Sequence, residues 1–166
     1  PMAREKGGIW RGQVDGDCHG LYYTYAVTHE DSVYEVVDPY ARAAGVNGDR
    51  GMVVDLDRTN PEGWNATKGP ALDAMVDAII YEVHVRDFST YPQSGIEQKG
   101  RFLAFTEAGT RGPPGVRTGL DHLVDLGITH LHLLPIFDFA SVDEADQEHP
   151  QFNWGYDPKN FNVPEG

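Results

Sequence analysis

The sequence predicts a two-part chain, a β-structured region followed by the start of an α/β region. Three observations carry this. Short alternating strands with polar turns fill the stretch before Asp57. Two nearly continuous apolar runs, Ala78 to Val85 and Ile128 to Leu134, come after it. An amphipathic helix, Leu120 to Leu126, lies between those runs.

In the first region Leu21, Tyr23, Tyr25 and Val27 fall on one face of a strand, with Tyr22, Thr24 and Thr28 on the other. Gly16-Asp17 marks a turn before it. A second strand is expected at Ser32 to Val37, ended by Asp38-Pro39, with shorter ones at Ile9 to Val14 and Gly51 to Leu56. Several short strands with polar turns suggest a sandwich, and too few are present to close one. The expectation is the C-terminal part of a β-sandwich over residues 1–57.

Residues 58–77 read as a linker, because Asn60-Pro61-Glu62-Gly63 and Lys68-Gly69-Pro70 are loop sequences. Asn65-Ala66-Thr67 fits a glycosylation pattern that also arises by chance. Trp10 and Trp64 read as core or linker anchors.

From residue 78 the pattern is strand, helix, strand. Ala78 to Val85 is β-prone and reads as buried on both faces. Leu120, Leu123 and Val124 make one apolar helix face, Thr118 is the expected N-cap with Asp121 in a capping-box arrangement, and Gly127 the residue that ends the helix. Ile128 to Leu134 is the second strand, closed by Pro135. This is a βαβ unit of a parallel sheet. The connection from Arg86 to Arg117 and the segment after Phe137 are long excursions at strand C-terminal ends, where ligands bind in such sheets. The acidic stretch Asp143, Glu144, Asp146 and Glu148 reads as a solvated loop face.

Composition narrows the function. Thirteen Lys and Arg against 26 Asp and Glu give a formal net charge of -13, so nucleic-acid and membrane-surface partners are not expected. No apolar run approaches the roughly 20 residues of a membrane span. Cys18, the one cysteine, can form neither an internal disulfide nor a cysteine-rich metal site. The chain opens on Pro1 and stops on Asn162-Val163-Pro164-Glu165-Gly166, which reads as an internal piece of something longer. Location is left open between the bacterial cytoplasm and secretion.

Three blocks carry a family resemblance. They are AIIYEVHVRDFS (Ala78 to Ser89), GLDHLVDLGITHLHLLPIFDFASVDE (Gly119 to Glu144) and FNWGYDPKNFNVPEG (Phe152 to Gly166). Together they resemble the type I pullulanases, debranching enzymes of glycoside hydrolase family 13, the α-amylase family. Glu35 to Leu56 is similar to the end of the carbohydrate-binding-module-like sandwich that precedes the barrel there. Phe152 departs from the family, which usually has Tyr.

The resemblance implies a (β/α)₈ TIM barrel, of which residues 78–166 would be the N-terminal part, truncated after two strands. A full barrel takes roughly 250 residues. It implies hydrolysis, with retention, of α-1,6-glucosidic linkages in pullulan, amylopectin, glycogen and limit dextrins. The family's catalytic Asp, Glu and second Asp follow later barrel strands and map onto no residue here. Glu82 reads as a paired core residue, and Asp87 and Asp138 as loop-capping or ion-paired groups. No catalytic residue is assigned, and the chain alone is expected to be inactive. Substrate contacts implied by the resemblance are Tyr156, as a platform under a sugar ring, and Asp157, as a hydrogen-bonding group. Asn153 and Trp154 stand in the same block and are expected to hold the loop. The resemblance implies no cofactor; calcium in a full-length protein is allowed for and assigned to no residue.

Two alternatives stand beside this. His130 and His132 alternate on one strand face, with His84 on the neighbouring strand, a pattern that metal-dependent hydrolases use at strand ends. Leu133, Leu134 and Pro135 follow, however, so the pair is mid-strand. The other alternative is a non-catalytic α-glucan-binding module.

Overall fold

The computed structural model describes residues 1–149 and 151–165. Pro150 and Gly166, both inside the segment assigned above to the barrel, lie outside the described residues. The chain divides into two compact units. The first comprises Pro1–Glu62, Phe137–Asn153 and Asp157–Gly166; the second comprises Gly63–Ile136 and Trp154–Tyr156.

The first unit is β-rich and built of antiparallel pairs. β1 (Ala3–Arg4) pairs with β2 (Trp10–Arg11), and β3 (Tyr22–Tyr23) with β6 (Gly51–Met52). β4 (Tyr25–His29) and β5 (Ser32–Val36) form a hairpin with His29 opposite Ser32 and Val27 opposite Tyr34. Its two-residue turn holds Glu30 at φ 54°. Tyr23 is edge-on to Tyr25, with ring centroids 5.7 Å apart, and its hydroxyl donates to Asp38 at 2.7 Å. Burial and the Asp38 carboxylate push the Tyr23 phenol well above its usual range. Trp10 is 58% exposed, so it anchors no core here.

The same unit takes its remaining strands from the far end of the chain. β11 (Phe137–Phe139) pairs antiparallel with β12 (Pro158–Pro164), with irregular register on both sides of Asp138. Asn47 ties this hairpin's loop to the N-terminal strands. Its N–H donates to Glu144 Oε2 at 2.6 Å, its side-chain amide donates to Asp143 at 2.9 Å, and its Oδ1 accepts from the Glu144 N–H at 2.7 Å. Lys159 pairs with Asp49 and donates to the Asn47 carbonyl at 2.6 Å. The acidic stretch is therefore not simply a solvated face: Asp143 and Glu144 are structural acceptors. The expectation missed this because their partner lies some 97 positions away.

The second unit holds the βαβ unit. β7 (Ile80–Val83) and β10 (His130–Leu133) are parallel, with His130 opposite Ile80 and Leu133 opposite Val83. Between them stands α2 (Gly119–Leu126), ended by Gly127 at φ 68° with its N–H on the Val124 carbonyl. Both strands are shorter than expected, and they are not buried on both faces. Ile80 is 64% and Leu131 36% exposed, because among the described residues the sheet has only these two strands. Trp64 is 60% exposed and likewise anchors no core.

Two local expectations are corrected. Val85 does not continue β7: it opens α1 (Val85–Ser89), because His84 Nδ1 accepts the N–H groups of Arg86 and Asp87 at 3.2 and 3.4 Å. Thr118 does sit at the N-cap of α2, but its hydroxyl makes no capping bond. It donates instead to the Ser94 carbonyl at 2.6 Å, and Asp121 accepts from the Gly109 N–H at 3.1 Å. The long connection competes for the cap and wins. That connection is itself folded. β8 (Arg111–Gly112) pairs with β9 (Val116–Arg117), Phe88 stacks on Phe105 at 4.2 Å, and Ile96, Ala104 and Leu123 are buried.

Candidate functional site

The block Asn153-Trp154-Gly155-Tyr156-Asp157 is held at its two ends by different elements. Asn153 and Asp157 belong to the first unit, Trp154 to Tyr156 to the second.

In the first unit the organiser is Ser141, just beyond β11. Its hydroxyl donates to Asp157 Oδ2 at 2.5 Å and its N–H donates to the same oxygen at 3.1 Å. Asn153 Nδ2 donates to the Ser141 hydroxyl at 2.8 Å. The Ala140 N–H donates to the Asp157 carbonyl at 2.9 Å. The Ser141 and Asn153 side chains hold the Asp157 carboxyl below the usual carboxylate range. Asp157 is thus an ionised acceptor with a fixed orientation. Beside Ser141 a polar cavity of about 360 Å³ is lined by Asn47, Asp49, Asp143, Gln151 and Lys159 among others.

In the second unit Gly155 adopts φ 86° against Pro135, where a side chain would meet the Pro135 carbonyl oxygen. Trp154 lies edge-on to His84, with ring centroids 6.2 Å apart. Tyr156 is 71% exposed, which suits an aromatic side chain offered to a ligand.

The other carboxylates named from sequence are placed as follows. Glu82 pairs with His132 Nδ1 at 3.2 Å across β7 and β10, but both side chains are more than half exposed, so Glu82 is paired without being a core residue. Asp87 pairs with the adjacent Arg86 at 3.4 Å. Asp138 is 2% exposed and accepts from Asn160 Nδ2 at 2.7 Å, while burial pushes its carboxyl upward.

The histidine arrangement does not gather a metal site. His130 Nδ1 is 2.8 Å from the Thr129 hydroxyl, His132 faces Glu82, and His84 caps α1. Among the described residues the group of ligand-type side chains close enough to share an ion is Asp138, Glu144 and Glu165, with ligand atoms within 4.8 Å of one another. Their oxygens would suit a hard cation. Each carboxylate already accepts from the protein, from Asn160, the Asn47 N–H and the Phe139 N–H respectively. We assign no ion to them. Glu165 is pushed up to about 7, first by burial and then by Glu144, Asp138 and Asp157, against the lowering effect of the Phe139 N–H.

Sequence reasoning missed Ser141 and Glu165. The only signal for Ser141 was its place inside the resembling block Gly119 to Glu144, since nothing local announces a partner 16 residues away.

No family model matches the chain. The pullulanase of Bacillus subtilis strain 168 is 42% identical over 165 residues, which are 99% of this chain and 22% of that protein. The crystal structure of apo pullulanase from Paenibacillus barengoltzii matches with a TM-score of 0.95 at 55% identity, covering 100% of this chain and 26% of that one. The same pullulanase in complex with maltohexaose and α-cyclodextrin matches with a TM-score of 0.95, covering 99% of this chain. The chain therefore matches one section of a much longer relative. The chain is homologous to the pullulanases, and spans about a quarter or less of the relatives it matches.

Proposed function

We propose that the chain is a section of a starch-debranching glycoside hydrolase that cleaves α-1,6-glucosidic linkages in pullulan and branched α-glucans. The observation that carries this is the 55% identity, over its full length, to a pullulanase of the same fold. In this reading residues 1–57 end an accessory sandwich, 58–77 form a linker, and 78–166 begin a (β/α)₈ barrel with β7 and β10 as its first two strands.

The reaction proceeds with retention. A retaining glycosidase sets a nucleophilic and an acid/base carboxylate about 5 Å apart across the scissile bond. We assign both to parts of the protein outside these 166 residues. Glu82, Asp87 and Asp138 take no part, which fits their pairing with His132, Arg86 and Asn160. This section's role is to bind glucan. Tyr156 covers the apolar face of a sugar ring, and Asp157 accepts from its hydroxyls. Asn153 and Trp154 hold the loop, which fits their contacts with Ser141 and His84. The relative's complex with maltohexaose and α-cyclodextrin supports an α-glucan ligand.

The test is to assay the full-length protein and the 166-residue chain on pullulan and on a linear α-1,4-glucan. Release of reducing ends from pullulan by the full-length protein, and none by the chain alone, is expected. Absence of pullulan hydrolysis by the full-length protein overturns the proposal.

A further inference from the structure

We infer that Ser141 is a positioning residue for glucan binding, acting through the Asp157 carboxylate. The inference rests on the proposed role of Asp157 as a glucan contact and adds to it the residue that sets its geometry.

Two donors of one residue converge on a single oxygen. The Ser141 hydroxyl and N–H both reach Asp157 Oδ2, at 2.5 and 3.1 Å. A carboxylate held through one hydrogen bond can still swing about that bond. Two donors fixed on the same residue define a direction as well as a distance. The hydroxyl has one proton to give. Asn153 Nδ2 donates to the Ser141 oxygen at 2.8 Å, which leaves that proton for Asp157. Asn153 thus supports Ser141 while also bonding the Asp157 carboxyl itself, and the Ser141 hydroxyl is the larger of the two influences.

The main chain sets the spacing. Phe139 is opposite Pro158 where β11 meets β12, and the Ala140 N–H is bonded to the Asp157 carbonyl at 2.9 Å. Ser141 is thus delivered to Asp157 by the hairpin, not by a flexible loop. Orientation prepared in the free protein need not be bought from binding energy. Loss of the hydroxyl should then appear in substrate affinity. It should also let the Asp157 carboxyl rise toward its ordinary value, since the Ser141 hydrogen bond is the first cause of its lowering.

The experiment compares Ser141→Ala, Ser141→Thr and Asp157→Asn in the full-length protein, with kcat and KM on pullulan from pH 4 to 8. Ser141→Ala is expected to raise KM by about fivefold to tenfold, an exposed, charge-assisted hydrogen bond's worth. Its kcat should stay within about threefold. Ser141→Thr, which keeps both donors, should restore KM. Ser141→Ala with unchanged KM, while Asp157→Asn raises KM, overturns the role of Ser141 alone. Unchanged KM in Asp157→Asn overturns the glucan-contact reading itself. A Ser141→Thr protein as impaired as Ser141→Ala, with the same lowered melting temperature, assigns Ser141 to folding and also overturns the inference.

Discussion

Gly155 and the carbonyl of Pro135 occupy space that no side chain could share. With φ at 86°, a Cβ on Gly155 would lie 2.0 Å from that oxygen. Both the backbone conformation and the contact demand glycine. Gly155→Ala must move main chain, and is expected to destabilise by about 3 kcal/mol. Thermal denaturation of the full-length protein measures the cost, and a melting temperature within 1 °C of wild type would show that the loop yields freely.

Tyr156 offers its ring to solvent. If it is a sugar platform, the ring matters and the hydroxyl does not. Tyr156→Ala should weaken maltooligosaccharide binding by about tenfold or more, and Tyr156→Phe by less than about threefold. Titration calorimetry with an inactive variant reads both. Equal losses in the two variants would point to the hydroxyl instead.

Glu165 links stability to pH. Its folded carboxyl is pushed up to about 7 from 4.5. Between those values the folded state binds more protons than the unfolded one, so stability falls as pH rises from about 4.5 to 7 and levels off above. The group is partly solvated, so the loss is about 1–2 kcal/mol, less than the full shift would give. Glu165→Gln retains an acceptor for the Phe139 N–H and removes the charge. It should flatten that slope and stabilise the protein at pH 8, which urea melts across pH 4 to 8 would reveal.

Glu30 sits in the β4–β5 turn at φ 54°, a region where a side chain costs about 1 kcal/mol. Glu30→Gly should recover up to about that much, offset in part by the greater freedom of glycine when unfolded. Chemical denaturation would detect the difference, and a destabilised Glu30→Gly would show that the glutamate side chain supports the turn.

How much of this was readable in the sequence depended on the range of the interactions. α2 was legible because Leu120, Leu123 and Val124 repeat at helical spacing and Gly127 ends it. The strands β4 and β5 were legible from alternation, but the single strand expected over Leu21 to Thr28 is split into β3 and β4, which pair with different partners. α1 was not, because its cap is a histidine, a residue that carries no capping signal. The expected cap at Thr118 was present in position but used elsewhere, by Ser94 in a connection whose path local patterns do not reveal. Burial on both faces was inferred from apolar runs, yet those runs register only the composition of β7 and β10. Tyr156 and Asp157 were named through family resemblance. The clamp on Asp157 was invisible, because it depends on the β11–β12 register, which shifts on both sides of Asp138.

The bonds from Asn47 to Asp143 and Glu144 impose an order in time. During synthesis, the residues around Asn47 leave the ribosome about 100 positions before their partners exist. At roughly 5–20 residues per second, that is a wait of about 5–20 seconds. The intervening stretch, including β7, α2 and β10, emerges in full during that interval and can begin to fold. The strand pairs β1–β2, β3–β6 and β4–β5 can close among themselves in that time. What waits is the loop around Asn47 and Asp49, whose side chains and backbone stay open to water until Asp143, Glu144 and Lys159 arrive.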